Sequence, residues 1–408
     1  MKIAVIGSGI SGLSSAFYLS KKYKVDLFEQ EDHFGGHSYT FDIKENNKNI
    51  PVDLGFIVFN KITYPNLINF FEELNVPFEK SDMSFSVSVQ DTSIEYGGRG
   101  LKAIFANKMN IFDLSFLKMI KEIISFYKDA PYLLKSNLNG ITLGDYLDKS
   151  KLSKYFIEYH IIPMVAAIWS MPFSKAKDMP LKFFLKFFLN HGLFKFKNRP
   201  QWYTVSNRSR TYVNKVLTKV SGEVFKNYKV SKITRTNDNV RLKIGNEYLD
   251  YDQIILASHA DQSLRLLENP TEDEKNILKK FRYIENIAIL HTDKKLMPQK
   301  KIAWSSWNSI SRDNQTCVTY WLNNLQNLKC DTNYFLTLNP IYEPSHNKII
   351  KRVNYTHPYF NSETSKYQNE LHTLQGKKRT WFCGAYFGYG FHEDGLKSSI
   401  DLIKNFKT

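Results

Sequence analysis

The sequence predicts an α/β fold: a Rossmann-type domain interrupted by an inserted α+β domain. Three observations carry that prediction. A short apolar run, Lys2–Ile6, ends in glycines and leads through a helical pattern to a second run, Val25–Glu29. A long stretch of helical periodicity then separates this opening unit from later strands. At the C-terminus the opening pattern returns, as a strand at Thr380–Cys383, a glycine-rich turn and a helix at Leu396–Phe406.

Each element has its own signal. Lys2–Ile6 is continuously apolar after its first residue, as a parallel strand buried on both faces must be. Leu13, Ala16 and Phe17 recur at helical spacing, and Val25–Glu29 closes a strand–helix–strand unit of roughly thirty residues, the usual setting of a dinucleotide fold. Met83, Phe85, Val87 and Val89 alternate with Ser and Gln, which predicts a half-buried strand. From Phe112 to Lys128 the spacing is helical, with Phe116, Ile120, Ile123, Ile124 and Tyr127 on one face, and helical character continues to about His191. Strands resume at Val224–Arg235 and Tyr251–Ala257, the latter followed by the turn Ser258-His259-Ala260-Asp261. Residues 282–340 read as strands with aromatic insertions, including Ala303–Trp307 and Val318–Leu322. No internal repeat and no low-complexity linker interrupts the chain. The expected division is a discontinuous cofactor domain of residues 1–80, 200–270 and 375–408, and a substrate domain with a helical portion at 81–199 and 271–374.

With 408 residues, the chain is long enough for two domains and a substantial core. Hydrophobic residues at 42% and aromatic residues at 15% exclude a disordered chain. A formal charge of +16 favours an anionic partner, whether nucleic acid, a phospholipid surface or an acidic substrate. The positive residues are interspersed among aromatic and aliphatic ones and form no separate arm, so nucleic acid is not expected. The abundance of Lys, Asn and Ile equally fits an AT-rich genome. Cys317, Cys330 and Cys383 are odd in number and far apart, which supports neither a disulfide framework nor a metal site. The apolar start, Met1–Gly12, runs straight into a glycine motif and lacks a cleavage site, and no apolar run reaches about 18 residues. A reduced, cytoplasmic location is the expectation.

The chemistry begins at Gly7-Ser8-Gly9-Ile10-Ser11-Gly12. Gly7 permits a tight turn, Gly9 lets the backbone approach a pyrophosphate, and Gly12 lets the helix pack on the strand. Ile10 and Ser11 open the helix, whose free N–H groups and dipole favour negative charge. Glu29 ends the next strand, where a carboxylate can accept hydrogen bonds from both ribose hydroxyls. FAD and NAD share this fingerprint, and the following segment, Glu31-Asp32-His33-Phe34-Gly35-Gly36-His37-Ser38, separates them. Gly35 and Gly36 let the main chain pass close beside a pyrophosphate and flavin. Gly55 and Phe56 follow the strand end Val52-Asp53-Leu54, where a flat ring has room to lie. Near the C-terminus the run Gly384-Ala385 to Asp394-Gly395 leads into the last helix. Gly395 and Leu396 at its start are expected to aim N–H groups at the flavin pyrimidine, stabilising the anionic reduced ring.

These blocks resemble the flavin-containing amine oxidase superfamily. Within it, the chain is similar to the branch of predicted NAD/FAD-binding proteins associated with cyclopropane-fatty-acid-synthase-like methyltransferases. The resemblance covers nearly the whole chain. It includes Val52–Asn60 with Thr63-Tyr64-Pro65-Asn66, Ser81–Val87, Pro163–Trp169, His191-Gly192, Pro200-Gln201-Trp202 and Trp381–Leu396. It implies tightly bound FAD, a glutathione-reductase-like FAD domain with the inserted substrate domain of flavin amine oxidases, and further cofactor contacts at Gln30, His37 and Val230. Departures bear on the activity. Amine oxidases carry Arg where this chain has His37, Gly-Asp or Gly-Glu where it has Gly384-Ala385, and an aromatic cage residue where His392 stands. Asn207-Arg208 replaces a glycine pair of the branch, which puts the backbone path there in question.

The branch's company points to acyl chains. The resemblance implies dehydrogenation or isomerisation of a fatty acyl group, carried on a phospholipid as in furan fatty acid synthesis, with the protein peripheral at the inner face of the membrane. Such a methyltransferase would be its partner. Two alternatives stay open: an oxidase of a small amine, and a non-catalytic flavin or lipid carrier. Leu181–Leu189 puts Lys182 and Lys186 on one edge of an otherwise apolar helix, either buried or lying in an anionic membrane interface. The helix around Phe116–Tyr127 carries Lys118, Lys121 and Lys128 outward, which core packing of its other face explains. His392, with Glu393 as its partner, is the candidate acid/base or orienting group, and Tyr389 a candidate at the same turn. Trp169, Tyr386 and Tyr389 are candidates for a substrate channel. Cys383 sits in a strand and is not expected to bond covalently to flavin.

Overall fold

A computed structural model describes residues 1–90, 92–312 and 315–406. Its centre is a five-stranded parallel sheet in the order Val224–Phe225, Lys24–Phe28, Lys2–Ile6, Gln253–Leu256, Thr380–Phe382. The strands come from the start, middle and end of the chain, so the domain closes only when all three segments have met. Helices Ile10–Leu19 and His392–Asn405 cover one face, burying Ile3, Val5, Leu13, Ala16 and Leu396 in a common cluster. A three-stranded antiparallel sheet, Val230–Arg235, Val240–Ile244 and Glu247–Tyr251, covers the other with Ala4, Ile6, Ile254 and Leu256.

The inserted part pairs a seven-stranded mixed sheet with a helical layer. The strand order is Ile349–Tyr359, Arg282–His291, Phe335–Leu338, Gln315–Trp321, Trp307–Arg312, Phe85–Val89, Glu95–Gly97. Every pairing is antiparallel except Trp307–Arg312 with Phe85–Val89. Helices Leu114–Leu133 and Leu181–Asn190 bury Phe116, Met119, Phe126, Phe184 and Phe188 in one aromatic core. Leu181–Asn190 is therefore held within the protein: Leu181, Phe184, Leu185, Phe187 and Phe188 are buried, and Lys182 and Lys186 face outward. Among the described residues no helix is long and apolar enough to cross a membrane.

Several element boundaries differ from the sequence expectation for local reasons. Ala303–Trp307 is not a strand. A single helical turn at Lys301–Ala303 precedes a strand that starts only at Trp307, because Ser305 N–H donates to the Asn308 side chain and Trp304 Nε1 to the Pro298 carbonyl. The expected strand Val224–Arg235 is two strands in different sheets, Val224–Phe225 and Val230–Arg235. The last helix begins at His392, four residues earlier than expected, where the Asp394 carboxylate accepts from Phe391 N–H. Helix Leu114–Leu133 starts after Asp113, whose carboxylate accepts from the N–H groups of Ser115 and Phe116, and it continues past Lys128. Residues expected in the substrate domain at 271–281 and 371–374 instead share the core of the parallel sheet through Leu278, Phe281, Leu371 and Leu374.

A buried ion pair ties that segment down. Arg235 Nη1 and Nη2 reach the two Glu274 carboxylate oxygens at 2.6 and 2.9 Å, with both side chains at most 3% exposed. Glu274 also accepts from Thr271 N–H, capping helix Glu272–Leu278. Glu274→Ala strands a buried guanidinium, so urea unfolding should show a loss of about 3–5 kcal/mol.

Candidate functional site

One cavity of about 900 Å³ runs from the parallel sheet into the helical layer. That is at the large end of the roughly 300–1,000 Å³ typical of ligand sites. Its sheet end lies over the carboxyl ends of the strands, where open α/β sheets place their ligands. Gly7, Gly9, Ile10, Ser11, Glu29, Gln30, Gly36, His37 and Val230 line it there. The turn is held by steric exclusion. A Cβ on Gly12 would fall 1.8 Å from the Gly7 carbonyl oxygen, whereas one on Gly9 would meet nothing within 4 Å. Gly12 thus packs helix on strand and stays off the cavity wall, and Gly9 is open toward it.

Glu29 organises this end. Its Oε2 accepts from Ser8 N–H at 2.9 Å and Ser8 Oγ at 2.5 Å, and its Oε1 from Glu31 N–H at 3.0 Å. Gly35 N–H donates to the Ser8 carbonyl, tying the paired glycines to the first turn. Gly35 lies behind the wall. Gly36 sits at φ 56° against the Gly9 backbone, a left-handed position that disfavours a side chain. Gly55 and Phe56 line the cavity, and Phe56 N–H donates to the His37 carbonyl.

The C-terminal turn brings Gly384, Ala385, Tyr386, Tyr389 and His392 to the same wall. Gly395 and Leu396 do not reach it. Gly395 N–H is bonded to the Phe391 carbonyl as part of the helix, and its Cα lies against Ile10 and Ser11, where a Cβ would come within 2.8 Å of both side chains. Because the helix starts at His392, any free N–H groups belong to its first residues. Leu396 is buried in the sheet core. Cys383 is also off the cavity, its thiol against Ser15 and pushed up to about 12 by burial.

The catalytic candidates separate. Glu393 does not pair with His392: its carboxylate accepts from Asn66 N–H, Asn66 Nδ2 and Leu67 N–H, capping helix Pro65–Glu73. His392 stacks on Phe56 with ring centroids 3.7 Å apart, and its Nε2 contacts Ser38 Oγ at 2.8 Å and Tyr212 OH at 3.3 Å. Burial lowers it to about 3, so it is a neutral, hydroxyl-clamped ring. Tyr389 packs on Phe183 and Phe187, and its carbonyl accepts from Trp169 Nε1 at 3.2 Å. The strained path at Asn207-Arg208 keeps positive φ values of 59° and 75° without glycine. Arg208 is held there by donating to the carbonyls of Pro51 and Gln326, beside a buried Asp53 raised to about 6 by desolvation.

Trp169, Tyr386 and Tyr389, candidates for a substrate channel, all line the cavity, but sequence reading missed most of two other parts of its wall. Tyr355 and His357 from strand Ile349–Tyr359 face His37, and His259 stacks on Tyr283 in the same wall. His37 Nε2, Tyr355 OH and Tyr386 OH are buried there without a protein partner. The other end is apolar and aromatic: Met83, Ile168, Trp169, Phe187, Leu193, Trp202 and Phe391, with His191 among them. His191 Nδ1 lies 2.9 Å from the Phe187 carbonyl and must donate to it, leaving Nε2 as the acceptor, and burial lowers the ring to about 4. In all, five of the ten histidines line this cavity. The usable signal was their placement beside aromatics, as in Tyr355-Thr356-His357-Pro358. Glu29 is the one carboxylate among the described lining residues, and no group of metal-binding side chains occurs among the described residues.

A pH dependence follows from burial. His160, His191, His259, His291, His357 and His392 are lowered to between about 3 and about 4, chiefly by desolvation, and His37 is lowered too. Below their ordinary 6.5 the unfolded chain takes up protons that the folded chain refuses, so stability falls as pH drops from about 6.5 to 4, by up to about 1.4 kcal/mol per pH unit per histidine. Asp53 and Asp394, raised to about 6 and about 7 by burial, act in the opposite sense over that window but are outnumbered. The melting temperature should therefore rise from pH 5 to pH 7, as read by circular dichroism.

Comparison with known proteins agrees with this architecture. Residues 5–74 match the family profile of an NAD(P)-binding Rossmann-like domain. Over 96 residues the chain is 34% identical to a 1-hydroxycarotenoid 3,4-desaturase of Flavobacterium sp., a match spanning 23% of this chain and only 18% of the desaturase. Among solved structures, the CLA-producing fatty acid isomerase from P. acnes superposes with a TM-score of 0.70 at 14% identity, covering 100% of this chain and 98% of the isomerase. Cyclohexylamine oxidase from Brevibacterium oxydans superposes equally well, with a TM-score of 0.70 at 13% identity over 99% of each chain. Likeness at that identity shows the fold: an α/β protein with a Rossmann-type domain, shared with flavin amine oxidases.

Proposed function

We propose that the protein is an FAD-dependent oxidoreductase that dehydrogenates or isomerises a fatty acyl chain. The observation that carries this reading is the polarity of the cavity. Its sheet end offers a glycine turn, a helix N-terminus and the Glu29 carboxylate, and its far end offers aromatic and aliphatic walls without a carboxylate.

The residues present fit FAD. Gly9 opens toward the cavity, and the buried, unpartnered His37 Nε2, Tyr355 OH and Tyr386 OH give a polar ligand hydrogen-bonding groups that the protein itself does not satisfy. Glu29 would hold the ribose, the Gly7–Ser11 turn the pyrophosphate, and the wall of Gly55, Phe56, Gly384 and Ala385 the ring system. Bound FAD supplies a two-electron acceptor for hydride leaving carbon. The chain supplies the rest. Trp169, Phe187 and Phe391 exclude water around an apolar substrate. His392, clamped by Ser38 and Tyr212, positions Phe56. His191, neutral and with Nε2 free to accept, is the base for a proton leaving the substrate. His392 stands where amine oxidases place an aromatic cage residue, which weighs against an amine. The fold, shared equally with a fatty acid isomerase and with cyclohexylamine oxidase, admits either substrate. The proposal extends to a phospholipid-borne chain, as in furan fatty acid synthesis, with a cyclopropane-synthase-like methyltransferase as partner.

Anaerobic mixing with a monounsaturated phospholipid or its free acid should bleach the flavin absorbance. Bleaching by putrescine or cyclohexylamine but by no lipid would make the protein an amine oxidase, and stable lipid uptake without any reduction would make it a carrier. Protein that stays colourless after reconstitution would remove the reading altogether. Glu29→Ala should weaken FAD binding by about 1.5–3 kcal/mol in a fluorescence titration, the worth of hydrogen bonds to a charged group. His191→Phe should retain FAD yet slow its reduction by about 10²–10⁴-fold, the usual contribution of a positioned base.

A further inference from the structure

The outer face of helix Leu114–Leu133 and the turn before it are unlike the rest of the surface. Phe112 and Leu114 are 78% and 80% exposed, and Leu101 and Met109 are 75% and 68% exposed. Leu117, Ile124 and Tyr132 are exposed as well. On the helix, Leu114, Leu117, Lys118, Lys121, Ile124, Lys128 and Tyr132 recur at three- and four-residue spacing, so they form one stripe. The opposite stripe, Phe116, Met119, Ile123, Phe126 and Tyr127, is buried in the helical core. Folding therefore accounts for one face only. The turn is tied to the helix start, with Phe112 N–H donating to the Met109 carbonyl and Phe105 packing on Phe116. Its apolar residues are thus presented beside Leu114.

Charge decides what this face suits. Lys102, Lys108, Lys118, Lys121 and Lys128 are all exposed in the same region. The nearby acids are fewer: Asp113 caps the helix, Glu122 accepts from Ser153 N–H and Oγ and lies 3.9 Å from Lys118, and Asp129 accepts from Ser125 Oγ, so the face keeps a positive excess. A second copy docked on this face would set lysine against lysine. A surface with anionic headgroups over an apolar interior matches both components: lysine ammonium groups meet phosphates while Phe112 and Leu114 enter the acyl boundary.

We propose that this face, Phe112 with the outer stripe of Leu114–Leu133, docks the protein on an anionic phospholipid bilayer. None of these residues lines the cavity, so the surface is separate from the site and does not depend on which substrate that site takes. It differs from Leu181–Asn190, the helix that the sequence offered for this role and that the fold buries.

Sedimentation of the FAD-loaded protein with vesicles tests it. Wild type should pellet with vesicles of phosphatidylcholine mixed with phosphatidylglycerol and be released by raised salt, as the screening of surface charge requires. The double variant Phe112→Ser with Leu114→Ser should lose at least about ten-fold in partitioning, as expected when two buried apolar side chains are removed. Lys121→Glu with Lys128→Glu should lose a comparable factor on the anionic vesicles alone. All four residues are exposed, so both variants should keep the wild-type melting temperature and flavin content. Wild type that stays in the supernatant with every vesicle would overturn the proposal, as would variants that bind like wild type. A wild-type dimer in analytical ultracentrifugation that the same variants abolish, without vesicle binding, would overturn it in favour of a second copy. Vesicle binding without acyl oxidation would leave this surface standing while removing the proposed reaction; the converse result would do the reverse.

Discussion

The close approach of the first and last helices is the constraint on which this structure rests. Gly395 lies so near Ile10 and Ser11 that a single added carbon would overlap both side chains. Ser15 Oγ and Ser399 Oγ meet at 2.8 Å one layer further along, and Ser15 also touches Cys383. Helix packing this tight needs small residues on both partners, and the sequence supplies Ser11, Ser15, Gly395 and Ser399. Once the helices are seated, strand Thr380–Phe382 completes the parallel sheet, and the turn 384–391 is carried to the same wall as the glycine motif. The cavity exists because two ends of the chain meet there.

A second organising theme is burial of groups that could ionise. The histidines in the wall are held neutral by burial, which outweighs the opposing effect of the Phe187 carbonyl on His191; stacking and hydroxyls orient His392, and the Phe187 carbonyl orients His191. Neutral imidazoles in an aromatic setting can donate or accept a hydrogen bond without placing a fixed charge near an apolar substrate. The carboxylates next to this region serve as caps and ties instead. Glu393 caps one helix, Asp394 another, and Asp53 gathers Thr40 and Ser209 while its backbone exchanges two hydrogen bonds with Gln326. That last network links the opening segment, the return at 208–209 and the mixed sheet, so it fixes the relative placement of the cavity's two ends.

Much of this was legible in the sequence wherever function depends on local backbone geometry. The pattern Gly7 to Gly12, with Glu29 at the end of the next strand, encodes a turn whose conformation is set by the absence of side chains, and such turns read the same in any fold. The paired glycines at 35–36 belong to the same class. Apolar periodicity likewise placed most strands of the parallel sheet and, in Phe116, Ile123 and Tyr127, the buried face of the helix that begins at Leu114, although Ile124, expected on that face, is 41% exposed on the outer one. Where the reading went astray, side chains competed with backbone rules. Asn308 and Pro298 drew the chain away from an extended path at 303–306, and Asp394 began the last helix four residues early. That shift alone turned Gly395 from an expected ligand contact into a packing residue.

By itself, then, the sequence determined the fold class, the dinucleotide turn and the participation of both chain ends, because those follow from periodicity and glycine sterics over short distances. Only the tertiary structure decided which side chains share a wall. His37, His259, His357 and His392 are spread over some 350 residues and meet on one wall, His37 from the loop after Lys24–Phe28, His259 from the turn after Gln253–Leu256, His357 from strand Ile349–Tyr359 and His392 from the start of the last helix. Tertiary packing also decided what each of two amphipathic helices leaves outside, since both bury one face in the same core. Leu181–Asn190 buries five large apolar residues and leaves chiefly lysines outside, whereas the outer stripe of Leu114–Leu133 leaves Leu114, Leu117, Ile124 and Tyr132 uncovered among the described residues. Hydrophobic pattern specifies that a face seeks burial; only the arrangement of everything else specifies what is there to bury it.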